Sequence, residues 1–245
     1  MIVFDLDFET GDLSQWTTVV TGGGGGSATV QAAAAMGGSG VWGGQIVTDN
    51  ANSNYMEFRG TPIATDDFRL RYQFDINSMA MADGDDHLPF QIKATTQTNT
   101  AKIRVYYTDA AGYQIESGFR DDALTWFLGE KITIPDGPVT VDHHMKKATD
   151  GDGASDAWMK TYIDGVLADT ISDVDLFDAF DFDGFRFATI NADPAYNGSA
   201  MFVDNILAND TGDPLPPIGH KGRSGKRGAA RQGGARRSGR GGRLL

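Results

Sequence analysis

The sequence predicts an all-β protein: two antiparallel sheets packed as a jelly-roll sandwich, followed by an irregular basic C-terminal tail. Three observations carry this expectation. Apolar and polar residues alternate over many short runs, the period of a half-buried strand. Gly, Asp and Asn punctuate those runs at turn spacing, as in sandwiches and jelly rolls. No stretch shows the longer period of an extended amphipathic helix. The 245 residues include no cysteine, which excludes disulfides, thiolate metal sites and a cysteine nucleophile. No run is long and apolar enough to cross a membrane, and no basic-then-apolar leader opens the chain.

The elements follow in chain order. FDLDFETGDLSQW (4–16) supplies the first strand. TGGGGGSA (21–28) has no side chains to pack and reads as a mobile loop, or as backbone that closely approaches a partner. It lacks the GK[ST] ending of a phosphate loop, which discards nucleotide binding. FRLRYQFDI sets Phe68, Leu70, Tyr72, Phe74 and Ile76 against Arg69, Arg71, Gln73 and Asp75. PFQIKA sets Phe90 and Ile92 against Gln91 and Lys93. KIRVYY sets Ile103, Val105 and Tyr107 against Lys102, Arg104 and Tyr106, and TDAAGY turns the chain back into YQIESGF as a hairpin. AWMKTYIDG, GFRFATI and AMFVDNIL are three more strands, and DVDLFDAF (173–180) reads as a short turn of helix.

Charge divides the chain. It carries 21 Lys and Arg against 33 Asp and Glu. Nine of those bases lie in residues 220–245, which hold no acid: Lys221, Arg223, Lys226, Arg227, Arg231, Arg236, Arg237, Arg240 and Arg243. Twelve bases and all the acids remain for the body. The expected organisation is a domain over 1–209, a Pro-rich linker over 210–219 and a basic Gly/Arg-rich tail over 220–245. Arg223, Lys226, Arg227, Arg231, Arg236, Arg237 and Arg240 are candidate anchor or polyanion contacts. Such a tail can neutralise nucleic-acid phosphates, order within another protein of an assembly, or simply solvate the chain. It has no aromatic residue to stack on a base.

DFETGDLSQW, YIDGVLADT and FVDNILAND occur in the order seen in the concanavalin A-like, laminin-G-like jelly rolls. Over residues 4–209 the chain resembles this superfamily of carbohydrate-binding modules and polysaccharide lyases. The resemblance implies a structural calcium held by acids of the first and last strands, here Glu9 and Asp204, with Asp7 and Asp12 nearby. Carboxylate and turn oxygens suit that ion. DGDGASD (150–156) lacks the glutamate and flanking helices of an EF-hand and reads as an acidic loop.

The family's glycoside hydrolases place paired acids on one strand, a pattern this chain lacks. Its lyases neutralise a uronate carboxylate and move protons with Tyr or His. QIK at 91–93 resembles the QIH of jelly-roll alginate lyases, with Lys93 in the histidine's place. An R-x-E-x-R strand and a late Tyr/Lys strand are not evident. His87, His143 and His144 fall in or beside turns without an evident partner. If their strands are neighbours, Arg69, Arg71, Gln73, Gln91, Lys93, Arg104 and Tyr106 form one polar face suited to acidic glycans. Asp75 and Glu116 would lie on the same side and could pair with its cations.

A sugar-binding type of fold beginning at Met1 without an export signal suits a virion protein released by lysis. The expected function is therefore a non-enzymatic virion surface protein, of decoration or fibre type. Its jelly-roll domain would bind glycans or be displayed, its basic tail would anchor it to other virion proteins, and it would act in the virion or outside the cell after lysis. The alternatives are a polysaccharide lyase for uronate-containing glycans, whose activity would depend on Arg71 or Tyr106, and a nucleic-acid binder working through the tail.

Overall fold

The computed structural model describes residues 1–21, 25–36, 40–48, 53–63, 65–77, 79–94, 99–149, 153–176, 182–189 and 198–216. The described chain forms fifteen strands. They are β1 (Ile2–Leu6), β2 (Thr18–Val20), β3 (Ser27–Gln31), β4 (Gly43–Val47), β5 (Asn54–Ile63), β6 (Asp67–Asp75), β7 (Asp86–Ala94), β8 (Ala101–Thr108), β9 (Gly112–Arg120), β10 (Trp126–Thr133), β11 (Val139–Lys146), β12 (Ala157–Ile163), β13 (Val166–Val174), β14 (Phe182–Thr189) and β15 (Ala200–Asn209). A single 3-10 turn at Ala32–Ala34 interrupts them. Asp173 and Val174, expected in a helical turn, instead end β13.

The strands build two antiparallel sheets. The first has the order β13-β12-β11-β6-β15-β4-β3, with β1 also on β15; the second has the order β10-β9-β8-β7-β14-β5-β2. Consecutive hairpins account for β7 to β10. The late strand β14 inserts between β5 and β7, joining segments far apart in sequence.

Every second residue of a strand points into the space between the sheets. Phe68, Leu70, Tyr72 and Phe74 of β6 do so from the first sheet, and Phe90, Ile92, Ile103 and Val105 from the second. Tyr72 stacks on Phe90 at 4.2 Å and Phe68 on Phe182 at 4.4 Å, while Phe90 stacks on Phe185 at 5.7 Å. Burying aromatics of this size stabilises by about 2–3 kcal/mol each.

One polar thread crosses this core. The Tyr72 hydroxyl meets His143 Nε2 at 3.2 Å, His143 Nδ1 meets Thr161 Oγ1 at 3.2 Å, and Thr161 meets Ser117 Oγ at 2.8 Å. Ser117 belongs to the second sheet and the other three to the first, so the thread stitches the layers together. His143 is therefore a mid-strand residue of β11, not a turn residue. His144, next to it, faces outward and meets Asp67 at 2.5 Å. His87 lies within β7.

After β15 the chain folds back over the outside of the first sheet. Arg71 donates from Nη1 to the carbonyls of Leu215 and Pro216 at 3.0 and 2.8 Å, and the Leu215 side chain is buried. Asn209 donates to the Asp213 carbonyl at 2.7 Å. The first half of the Pro-rich linker is thus a strap. Residues 217–245, which carry all the tail cations named above, lie outside the described residues.

Burial pushes the His143 imidazole from 6.5 down to about 4. Between these values the unfolded chain takes up a proton that the folded chain refuses. This group's contribution to stability is complete above pH 6.5 and is lost as pH falls to about 4. Relative to His143→Gln, the wild-type chain should lose on the order of 3 kcal/mol between pH 7 and pH 4, measured by urea unfolding. A difference between the two proteins that does not change with pH would contradict a neutral, buried His143.

Candidate active site on the second sheet

The outward faces of β5, β14, β7, β8, β9 and β10 together carry Arg59, Arg186, Lys93, Lys102, Arg104, Arg120 and Lys131. These are seven of the twelve bases that the sequence places before residue 220. Glu57 and Glu116 share the face. A protein with 33 acids has thus gathered most of its body's positive charge on one surface, which concentrates a field that attracts anions.

Register fixes the middle of this face. Arg186 of β14 stands opposite Glu57 on one side and Gln91 on the other, and Gln91 stands opposite Lys102. Directly paired residues have Cβ atoms about 5 Å apart, so these side chains form a continuous row across four strands. Glu57 organises its end of the row. It accepts from Arg186 Nε at 2.6 Å and from Arg59 Nε at 3.1 Å, and Arg59 also pairs with Asp183. Arg186 further lies over the Tyr55 ring at 4.1 Å. The two guanidinium groups hold the Glu57 carboxyl below its usual range, against the opposing effect of burial.

Gln91 and Lys93 form the floor. Both point away from the core yet are only 4% and 2% exposed. Lys93 Nζ donates to Asn99 Oδ1 at 2.6 Å, and Gln91 Oε1 has no hydrogen-bond partner among the described residues. Beside Lys93 on β14 is Gly184, where a Cβ would lie 1.9 Å from the Phe58 carbonyl. No side chain can stand there; on that side Lys93 is flanked by the Gly184 backbone, with the Phe58 carbonyl and the Arg59 stem beyond it. Burial, and then the positive charge of Arg186, push the Lys93 ammonium from 10.5 down to about 8. An amine poised in this way exists in substantial part as a neutral base near physiological pH.

Farther along the face, Tyr106 donates to Glu116 Oε2 at 2.8 Å, Arg104 donates to the Tyr106 hydroxyl at 3.2 Å, and Lys131 sits 3.6 Å over the Tyr106 ring. Tyr106 pairs with Asp86 at the far end of β7. At about 3.3 Å per residue this puts it roughly 20 Å from Lys93, too far for both to act on one bond.

Four of the seven residues expected on a glycan-binding face meet here: Gln91, Lys93, Arg104 and Tyr106. The other three do not. Arg69, Arg71 and Gln73 project from β6, which lies in the first sheet between β11 and β15. The chain changes sheets between β6 and β7, so their polar residues face opposite sides of the sandwich. Asp142 takes Arg69 at 2.7 Å and Arg71 at 2.6 Å, Arg71 also grips the strap, and Gln73 accepts from Asn205 Nδ2 at 2.6 Å. Asp75 is likewise separated from Glu116. The sequence reading missed Glu57, Arg59 and Arg186. Tyr55, Glu57 and Arg59 alternate along the outer face of β5, and Arg186 stands opposite Glu57 on β14. Their pairing, with β14 beside Gln91-Ile92-Lys93 and β5 beyond it, is what makes them recognisable.

Glu9 lies in the turn after β1, and Asp204 lies within β15. Glu9 accepts from the backbone of Val41 and Trp42 at 3.0 and 3.3 Å. Asp204, fully buried, accepts from Met36 and Asn205 at 2.8 Å each. Burial, with smaller contributions from Glu9 and Asp7, pushes the Asp204 carboxyl up to about 7. Both acids therefore hold the loop that precedes β4. Among the described residues no three His, Asp or Glu side chains gather as a metal site; calcium here remains an expectation of the resemblance.

No family model matches the chain, and no curated protein matches it. Solved structures do. The chain is similar to the endo-β-1,4-glucuronan lyase from the fungus Trichoderma reesei, at 13% identity over 88% of this chain and 100% of that one, with a TM-score of 0.58. It is similar to the cellulose induced protein Cip1, at 15% identity over 85% and 97%, with a TM-score of 0.59. It is also similar to the marine PL-14 alginate lyase from Aplysia kurodai, at 9% identity over 86% and 99%, with a TM-score of 0.54. The fold is a two-sheet antiparallel jelly-roll sandwich, shared with these structures. The expectation of a non-enzymatic virion surface protein is corrected accordingly. The architecture that suggested a display module is shared, over nearly its whole length, with polysaccharide lyases.

The electrostatics of the floor can be measured directly. Lys93 should titrate near 8 by NMR of labelled lysine side chains. Arg186→Gln, which removes a repelling charge, should raise that value, and Glu57→Gln, which removes an attracting one, should lower it. A Lys93 that titrates at 10.5 in all three proteins would mean that it is not packed among these groups.

Proposed function

We propose that the chain is a polysaccharide lyase that cleaves uronate-containing glycans on the outer face of the second sheet, with Lys93 as the proton-abstracting base. The observation that carries this reading is the arrangement on β5, β14 and β7. A buried Gln91-x-Lys93 pair lies in register with Arg186, which Glu57 holds together with Arg59. The glucuronan and alginate lyases to which the chain is similar support the reading by their shared fold.

Elimination next to a uronate carboxylate needs two things. The proton on C5 is only weakly acidic, so the carboxylate must be neutralised as negative charge builds on it. A base must then stand on the same side. Arg186 and the Gln91 amide supply the first requirement with donors fixed before the substrate arrives. The neutral amine of Lys93, two residues and about 7 Å along the same strand face from Gln91, supplies the second. The amine takes the C5 proton, the electron pair forms the C4–C5 double bond, and the bond from C4 to the bridging oxygen breaks. That oxygen leaves with a proton, and the Lys93 ammonium can return one when both groups lie on the same side of the ring. The products are a new chain end and an unsaturated uronate.

Cleavage of glucuronan or alginate should appear as ultraviolet absorbance from the conjugated product. The kcat/KM should rise with pH as Lys93 loses its proton, with an apparent pKa near 8. Lys93→Ala should lower kcat by about 100-fold or more, in line with loss of a general base, whereas Arg71→Gln should leave the chemistry intact. Binding of these polymers without formation of the unsaturated product, under any pH tested, would overturn the lyase reading.

A further inference from the structure

Beyond the floor, the same face carries a second built arrangement. Lys102 of β8 and Arg120 of β9 both reach the ring of Trp126 on β10. The Lys102 ammonium lies 4.0 Å and the Arg120 guanidinium 5.4 Å from its centre. Contacts of this kind fix the position of a cation without neutralising it. Neither residue has a carboxylate ion-pair partner among the described residues, while Arg59, Arg104 and Arg186 each have one.

Each cation is also held in place from behind. Arg120 donates from Nε to the Leu124 carbonyl at 3.0 Å and from Nη1 to the Asn99 carbonyl at 3.4 Å. The stem of Lys102 lies across Gly118, directly opposite it in the ladder. A Cβ at Gly118 would stand 2.9 Å from Lys102 Cε and 3.0 Å from Cγ. The missing side chain is what lets Lys102 lie down toward Trp126. Burial, then the charge of Arg104 and the lesser repulsion of Arg120, lower the Lys102 pKa, as expected of cations crowded together without enough counter-charge.

We infer that Lys102, Arg120 and Trp126 form a distal subsite that takes the carboxylate of a uronate unit remote from the bond that is cut. This inference rests on the lyase reading for the identity of the ligand. Trp126 lies three strands from Lys93, about 14 Å at the usual spacing. One sugar unit is about as long as one strand spacing, so the subsite lies two to three units away when the glycan runs across the strands. Lys102 starts beside Gln91, so a short oligouronate bound at Lys93 reaches at most its stem, and only longer ones reach the Trp126 and Arg120 end where its ammonium lies. Gly118 acts as a positioning residue: it touches no sugar and sets where Lys102 lies.

The test uses the full chain carrying Lys93→Ala, so that no substrate is consumed, and calorimetric titration with size-defined oligouronates prepared from glucuronan and alginate. Affinity should rise with length from the disaccharide to the hexasaccharide. Lys102→Gln with Arg120→Gln should remove that rise, weakening the hexasaccharide roughly tenfold or more with little effect on the disaccharide. Gly118→Ala, which changes no charge, should weaken the hexasaccharide in the same direction. Lys160→Gln is the matched control: Lys160 lies 4.5 Å over Trp158 on the first sheet, so the same charge change there should leave the titrations unchanged. Equal losses at every length, equal losses in the control, or no binding at any length would each overturn the subsite. Length-dependent binding of this form, with no cleavage of these glycans by the chain that keeps Lys93, would sink the lyase reading and leave the subsite standing.

Discussion

The candidate site depends on one pairing, the insertion of β14 between β5 and β7. The Arg186 contacts that define the floor cross these two ladders. Arg186 meets Glu57 through the first and Gln91 through the second. The same strand sends Phe185 and Phe187 inward, where both are fully buried. Packing of the core therefore sets the register of the outer face. A slip of one residue would turn Arg186 into the core and Phe185 toward solvent, so the cost of exposing phenylalanine also protects the position of the arginine.

The two outer faces of the sandwich serve different ends. On the first sheet, Asp142 binds both Arg69 and Arg71, and Arg71 is further occupied by the strap carbonyls. The charges of Arg69 and Arg71 are matched within the protein, and Arg71 holds the chain after β15. On the second sheet, Lys93, Lys102, Arg120 and Lys131 have no carboxylate ion-pair partner among the described residues, and two of the side chains at the floor are almost wholly buried. Burying groups that could ionise or form hydrogen bonds without satisfying them costs stability. Such a cost is usual where a surface is prepared for a charged ligand.

How far this was legible in the sequence follows from the range of the interactions. The strand period is local, and FRLRYQFDI, PFQIKA, KIRVYY and GFRFATI all became strands with the expected residues inside. The likeness of Gln91-Ile92-Lys93 to the QIH of jelly-roll alginate lyases was also visible, with Lys93 in the place of the histidine. Pairing between strands is not local. Alternation shows that Arg71 and Gln91 both point away from a core, and it does not say which side of a two-layer sandwich each one faces. Hence Arg69, Arg71 and Gln73 were grouped with residues on the opposite surface. Glu57 and Arg59 went unnoticed because their strand lacks the first arginine of the pattern, with Tyr55 in its place. The histidines were placed in turns because a buried His143 has no apolar signature, and its partners Tyr72 and Thr161 lie on other strands.

The most direct test of the account is a crystal structure of the full chain carrying Lys93→Ala with an oligouronate bound. The account predicts a glycan across the outer face of the second sheet, with one carboxylate held by Gln91 and Arg186 and C5 of that sugar facing the space left by the Lys93 side chain. A glycan bound instead over Arg69 and Arg71 on the first sheet, or lying on the second sheet with its carboxylates turned away from Gln91 and Arg186, would contradict it.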